Sequence, residues 1–374
     1  MTSESKSGPA TGASSKIILA FLAGFLISCG PGNDPPDQVT RYFPPIGSSS
    51  WESVTPSSLG WNTSEIPGLL SLLEANGTRA FIVLKSGKIV IEAYFGSNLA
   101  GTGPFGPTSL WYWASAGKTL TAFTVGKAQE DGRLSISDRS SAHLGTGWTS
   151  LPPVQEDRIT VRHQLTMTTG LDDGVPDNHS FLPQDLVYKA DPGTRWAYHN
   201  APYTLLEQVV ANAAGEDFDA YFGRVLRDRI GLDGTWIWSG NDHVYYSTAR
   251  GMARFGLLIL NDGKWGLTVV MREAGYFQDM ISTSQSLNQS YGYLWWLNGK
   301  GSYMVPESQI VFPGSFTPNA PADMVSGMGK YGQYISVIPS KDLVMVRMGE
   351  DPSSVPVPFL FLDDIWERLK LIVR

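Results

Sequence analysis

Ser115 and Lys118 lie three residues apart in Trp113-Ala-Ser115-Ala-Gly-Lys118-Thr-Leu-Thr. On a helix, residues at i and i+3 share a face, so their side chains can meet. A serine hydroxyl is a weak nucleophile until a base takes its proton, and a lysine amine can do so once burial lowers its pKa. The positive end of a helix macrodipole would also favour negative charge developing at Ser115. A second candidate group is Asp191-Pro-Gly-Thr-Arg-Trp196-Ala-Tyr198-His-Asn200-Ala-Pro. Here a Pro-Gly turn leads into a phenol and a carboxamide where a helix opens. A tyrosine acts as a general base only if a cation lowers its pKa, and Lys118 is the cation at hand. Taken singly, each motif also fits a bland role: a solvated helix face for the first, a loop tyrosine with a helix-capping asparagine for the second.

Other chemistries find no support. There is no G-x-S-x-G elbow. The histidines at 143, 163, 179, 199 and 243 show no H-E-x-x-H or paired metal spacing. Gly101-Thr-Gly103-Pro-Phe-Gly106 matches G-x-G-x-x-G, but Pro104 and Pro107 remove backbone donors that a pyrophosphate needs. No metal and no organic cofactor are expected. With 28 Lys and Arg against 35 Asp and Glu, the net charge of −7 argues against nucleic-acid binding.

The elements that must position these residues are legible in outline. The 374 residues are 42% apolar, enough for a sizeable core. Residues 66–73 have helical apolar spacing, ended by Asn76-Gly77. Two β-rich runs, 79–84 and 88–95, flank Ser86-Gly87 and predict a hairpin. A helix is expected over 115–130, others over 205–214, 218–229 and 249–260, and an amphipathic closing helix over 358–373. Strands are expected over 331–338 and 342–348, joined at Pro339-Ser-Lys. The expected fold is therefore α+β. An antiparallel sheet is built from both ends of the chain (51–118 and 300–374), terminal helices lie on it, and a largely helical insertion spans 119–299. Trp113 and Trp196 flank the motif residues and are expected beside the site. The set Trp111, Trp113, Trp196, Tyr291, Tyr293, Trp295 and Trp296 would wall the cleft or pack the core.

In this order the two motifs resemble the serine β-lactamase superfamily, in particular its class C-like branch of D-alanyl-D-alanine peptidases, esterases and 6-aminohexanoate oligomer hydrolases. Ile159–Leu171, Tyr246–Gly256 and Tyr291–Trp296 fit the branch as well, so the resemblance covers Trp51 to the C-terminus. It implies that Ser115 is acylated, that Lys118 is its proton partner and that Tyr198 shares the general-base role. Asn200 would bond the substrate amide or the lysine. The oxyanion would take the Ser115 N–H and a second N–H from the last-motif strand. That third motif departs from the family pattern. Instead of Lys-Thr-Gly or His-Thr-Gly the chain has Val325-Ser-Gly327-Met-Gly329-Lys330-Tyr-Gly332. The lost cation–threonine pair would grip a substrate carboxylate, which turns the expectation from β-lactams toward esters, small amides or peptides. Lys330 is a candidate substitute and also fits a plain surface lysine. Gly327 and Gly329 could still expose a backbone N–H to substrate. The alternatives are a D-alanyl-D-alanine carboxypeptidase or β-lactamase, and a non-catalytic penicillin-binding-like sensor or scaffold.

The N-terminus reads as an address. A weakly basic start precedes the apolar run Ile17–Ile27, too short to span a bilayer comfortably. Leu26-Ile27-Ser28-Cys29 resembles a bacterial lipobox and holds the single cysteine of the chain. The expectation is a lipoprotein signal over 1–28, a lipid on Cys29 and a flexible Gly/Pro-rich tether over 29–50. Such a protein would sit as a monomer on the cell envelope, on the outer-membrane side, and act on a small-molecule or peptide substrate.

Overall fold

The computed structural model describes residues 41–353 and 357–373. The expected signal segment, Cys29 and the first part of the expected tether lie outside the described residues. Among the described residues, no helix is long and apolar enough to cross a membrane.

The runs rich in β-branched and aromatic residues form strands β1 (Thr78–Lys85) and β2 (Lys88–Tyr94), paired antiparallel. Their turn, Ser86-Gly87, has φ of 49° and 79°, the pair of positive values a two-residue type I′ hairpin needs. Further strands are β3 (Trp111–Tyr112), β4 (Thr235–Ser239), β5 (Asp242–Ser247), β6 (Trp296–Leu297), β7 (Val325–Gly329), β8 (Gln333–Ile338) and β9 (Leu343–Gly349). The main sheet runs β2-β1-β9-β8-β7-β6, antiparallel throughout, so both ends of the chain share it as expected. A small second sheet runs β3-β5-β4.

The helices that matter here are α1 (Ile66–Ala75), α2 (Lys118–Glu130), α3 (Val161–Leu165), α4 (Asn200–Ala214), α5 (Ala249–Leu260) and α6 (Phe359–Ile372). Every residue of β8 and β9 is buried, which requires cover on both faces of the sheet. The terminal helices α1 and α6 pack together, with α1 against β1, while α5 lies across β1, β8 and β9. Gly256 permits that closeness: a Cβ there would stand 2.5 Å from Val344 Cγ1. Helix α2 is buried from Lys118 to Ala128, hence its lack of a one-sided apolar stripe.

Three expectations are corrected. The segment 119–299 is not simply a helical insertion. It contains β4 and β5, contributes α5 to the face of the main sheet, and its β6 joins that sheet's edge. Apolar periodicity shows that a helix has a buried face, not which partner covers it.

The strand expected from Tyr331 begins only at Gln333. Tyr331 has φ of 64° inside a turn over Lys330–Gly332. The fully buried Arg347 accounts for this by donating to the carbonyls of Tyr331 (2.6 Å) and Gly332 (2.9 Å), and to those of Asn76 and Glu350. A guanidinium out of water must find acceptors for its donors, and the turn supplies two.

Residues 41–50, expected as part of a flexible tether, are held against the body. Arg254 of α5 donates to the carbonyls of Pro44, Pro45 and Ser48, and Arg41 pairs with Asp342 at 2.6 Å. The Tyr42 N–H bonds Ser86 O at 2.9 Å, close enough that a Cβ on Gly87 would strike Tyr42 O. Composition suggests mobility, but the acceptors that Arg254 needs come from this stretch.

Candidate active site

Ser115 sits in a turn clamped from two sides. Strand β3 pairs with β5, and just after it the Trp113 N–H bonds Tyr245 O at 2.8 Å while the indole N–H bonds Ser247 Oγ at 2.7 Å. Ala114 then takes φ of 45°, a costly value for a residue with a Cβ, and one 3-10 turn over Ala114–Gly117 runs into α2. Strand β7 closes the other side. A Cβ on Gly329 would lie 2.5 Å from Trp113 O and 3.1 Å from Ser115 N, and one on Gly327 would lie 2.9 Å from Thr119 Cγ2. Both glycines are therefore needed for close packing against the serine turn. Neither lines the cavity above Ser115.

Lys118 Nζ stands 3.1 Å from Ser115 Oγ, as the i, i+3 spacing predicts. The amine is only 5% exposed, faces the Tyr203 ring at 4.1 Å and lies 5.2 Å from the Tyr198 ring centre. Burial pushes its pKa down to about 7, while the charges of Asp242 and Glu207 pull upward. Near neutral pH a large fraction is therefore uncharged amine, able to accept a proton.

Tyr198 behaves oppositely to expectation. Burial raises its pKa well above the ordinary phenol value, and a hydrogen bond with Ser115 offsets only part of that. No cation lowers it, because Lys118 is itself desolvated. Burial thus holds Tyr198 as a neutral phenol, while Lys118 has a pKa near neutrality.

Asn200 also departs from expectation. Its Nδ2 donates to His179 Nε2 (3.2 Å) and Asn178 Oδ1 (3.4 Å), and it makes no bond to Lys118. Because Nδ2 can only donate, His179 Nε2 accepts and its Nδ1–H donates to Asp242 Oδ1 at 2.6 Å. Asn200, His179 and Asp242 thus form a hydrogen-bonded chain, of which His179 and Asp242 line the cavity.

The cavity above Ser115 has a volume of about 290 Å³. Tyr112, Tyr203, Tyr246 and Tyr331 give it aromatic walls, with Lys118, His179, Asp242, His243 and Lys330 as its charged or titratable lining. Lys330 lies 4.8 Å over the Tyr331 ring, and its charge helps lower the pKa of Asp242. Trp113 and Trp196 do not line the cavity. Trp113 is fully buried against Tyr245 and Phe255, and Trp196 packs behind Tyr198 with Tyr291 and Trp296. The wider set Trp111, Tyr291, Tyr293, Trp295 and Trp296 is likewise core.

Sequence reasoning missed Tyr203, although it lies three residues after Asn200 on α4 and so had to share its face. It also missed Tyr112, just ahead of the serine turn. His179 and Asp242 come from distant segments and carried no local signal, while Tyr246 opens a stretch that fits the family without pointing to the site. Among the described residues, no group of three or more His, Cys, Asp or Glu could hold a metal ion.

With fold and geometry in place, comparisons with known proteins agree. The family model described as Beta-lactamase matches residues 73–357, and the chain belongs to that family. It is similar to PbpX of Bacillus subtilis (strain 168), provisionally described as a penicillin-binding protein. The two are 28% identical over 148 residues, 37% of this chain and 36% of the relative. The match thus spans about a third of the curated relative's length. Among solved structures, one from Bacillus anthracis, provisionally described as a 6-aminohexanoate-dimer hydrolase, superposes with a TM-score of 0.64 at 18% identity. That match covers 87% of this chain and 89% of the other. A penicillin binding protein from Bacillus halodurans gives a TM-score of 0.61 at 18% identity, covering 80% and 99%. The shared fold is that of β-lactamases and transpeptidases, and family membership supports a serine hydrolase in general.

Proposed function

We propose that the protein is a serine hydrolase that acts through an acyl-enzyme on an ester, small amide or peptide. The observation that carries this reading is Lys118 Nζ, desolvated and 3.1 Å from Ser115 Oγ at the start of a buried helix. Neutral Lys118 takes the hydroxyl proton as Oγ bonds to the substrate carbonyl carbon. The Ser115 N–H and a second N–H from the last-motif strand are the donors that would hold the oxyanion. As the tetrahedral adduct collapses, the leaving group departs with a proton passed from the ammonium through the Tyr198 hydroxyl. Water then attacks the acyl ester, Lys118 takes its proton, and Ser115 Oγ is released and reprotonated. The absence of a Lys-Thr-Gly or His-Thr-Gly triplet favours esters and amides over β-lactams, since no such cation–threonine pair is present to grip their carboxylate.

A fluorophosphonate probe tests the proposal. The chain should be labelled at Ser115, and Ser115→Ala should abolish labelling. Equal behaviour of both proteins would sink the idea. A panel of ester, amide, muropeptide and β-lactam substrates then ranks the substrate class, and nitrocefin turnover well above ester turnover would reverse the preference for esters and amides. The proposal includes attachment to the cell envelope through a lipid on Cys29, supported by the Leu26–Cys29 sequence. Metabolic palmitate labelling, lost in Cys29→Ala, would bear it out.

A further inference from the structure

A second cavity of about 310 Å³ lies back to back with the first, and His243 lines both. Its walls include Phe181 and Trp238, and its charged lining is Glu207, Asp217, Asp219 and His243. Trp238 is 53% exposed, unusual for the largest apolar side chain, and its indole stacks on the His243 ring at 4.3 Å and 8°. Phe181 meets Trp238 edge-on at 6.2 Å.

The polar side of this cavity is under-satisfied. Glu207 is about nine-tenths buried, with one carboxylate oxygen bonded to His243 Nδ1 at 2.7 Å. Its other oxygen, Oε1, is buried with no partner, as is Asp219 Oδ1. Asp219 reaches the imidazole only at 4.0 Å. A buried carboxylate oxygen without a donor is costly, and its presence in a folded protein calls for one. Glu207, whose pKa burial raises to about 7, and the carboxylates of Asp217 and Asp219 outnumber the single His243 ring, beside the exposed Trp238 ring and the half-buried Phe181 ring. Carboxylates supply charge and hydrogen-bond acceptors, while aromatic faces attract a weakly hydrated cation.

We propose that this cavity is a binding site for an organic ammonium group, distinct from the Ser115 cavity and independent of the hydrolase reading. The group would rest against Trp238 and Phe181, with its positive end toward Asp219 and Glu207.

Ligand-observed NMR titration of the full chain with tert-butylammonium, whose N–H groups can reach the unpartnered carboxylate oxygens, tests this, with uncharged tert-butanol as the size control. The tert-butylammonium ion should saturate one site, and Asp219→Asn and Trp238→Ala should each weaken it about tenfold. Asp219 has an unpartnered, half-exposed carboxylate and Trp238 is half-exposed, so neither change should disturb the fold, which circular dichroism checks. Tyr331→Ala alters only the wall of the Ser115 cavity and should leave binding unchanged. The proposal is overturned if tert-butanol binds equally well, if Asp219→Asn and Trp238→Ala have no effect, or if Tyr331→Ala abolishes binding.

Discussion

At the scale of single residues, the site turns on which group gives up a proton near neutrality. Desolvation acts on Lys118 and Tyr198 in opposite directions because it penalises whichever form is charged. It leaves more of the lysine as free amine, able to take a proton near neutrality, and keeps the tyrosine protonated. The rate of Ser115 labelling should therefore rise with pH, with a midpoint near the Lys118 pKa of about 7. Asp242 stabilises the ammonium, so Asp242→Asn should move that midpoint to lower pH, whereas a midpoint shifted upward would contradict the assignment. Lys118→Met, which keeps bulk and removes the base, should cost about a thousandfold in labelling rate. His199 makes a separate prediction about stability. Both its ring nitrogens are buried without partners, and burial lowers its pKa to about 4. The unfolded chain binds a proton below about pH 6.5, while the folded chain resists until about pH 4. The stability held by a neutral His199 is complete above pH 6.5 and is lost as pH falls between these values, by about 3 kcal/mol. His199→Leu should remove this dependence, so its melting temperature should gain on the parent as the solution is acidified.

At the scale of elements, Ser115 is positioned by three backbone segments pressed together without room for a methyl group. Gly329→Ala should push β7 from the serine turn, because its Cβ would sit 2.5 Å from Trp113 O. Displacements of this order cost about a hundredfold in rate, so labelling of the folded variant, checked by circular dichroism, should fall by that much. The left-handed Ala114 shows the same constraint from the other side. The S-x-x-K spacing makes the Ser115–Lys118 meeting legible in advance, because helical geometry is local. The role of the glycines is not legible in that way. Their motif suggests substrate contacts, but their neighbours in the fold lie some two hundred residues away along the chain. Asn200 is similarly drawn from Lys118 to His179, a partner that no spacing rule could supply.

At the scale of the whole molecule, the two ends of the chain close one sheet, and buried arginines tie distant segments to it. Arg254 sits between the Trp51 and Trp265 rings, 5.5 Å from each, and its bonds hold residues 44–48. Arg254→Leu should free that segment, lower stability by about 2 kcal/mol, and expose residues 41–50 to limited proteolysis. A protease-resistant N-terminal segment in this variant would show that other contacts suffice.

The local and the distant determinants separate on physical grounds. Periodicity, turn residues and motif spacing are properties of neighbouring residues, and they specified the hairpin at Ser86-Gly87, helices such as 249–260, the antiparallel sheet from both termini and the Ser115–Lys118 pair. The family followed from the order of motifs. Electrostatic environment and contact are properties of what folds against what. Only the tertiary structure could therefore decide that burial shifts Lys118 and Tyr198 in opposite directions, that Trp113 and Trp196 are core rather than cleft, and that a Gly/Pro-rich stretch is pinned. A desolvation penalty or an acceptor for a buried guanidinium exists only once segments far apart in the chain have excluded water from between them.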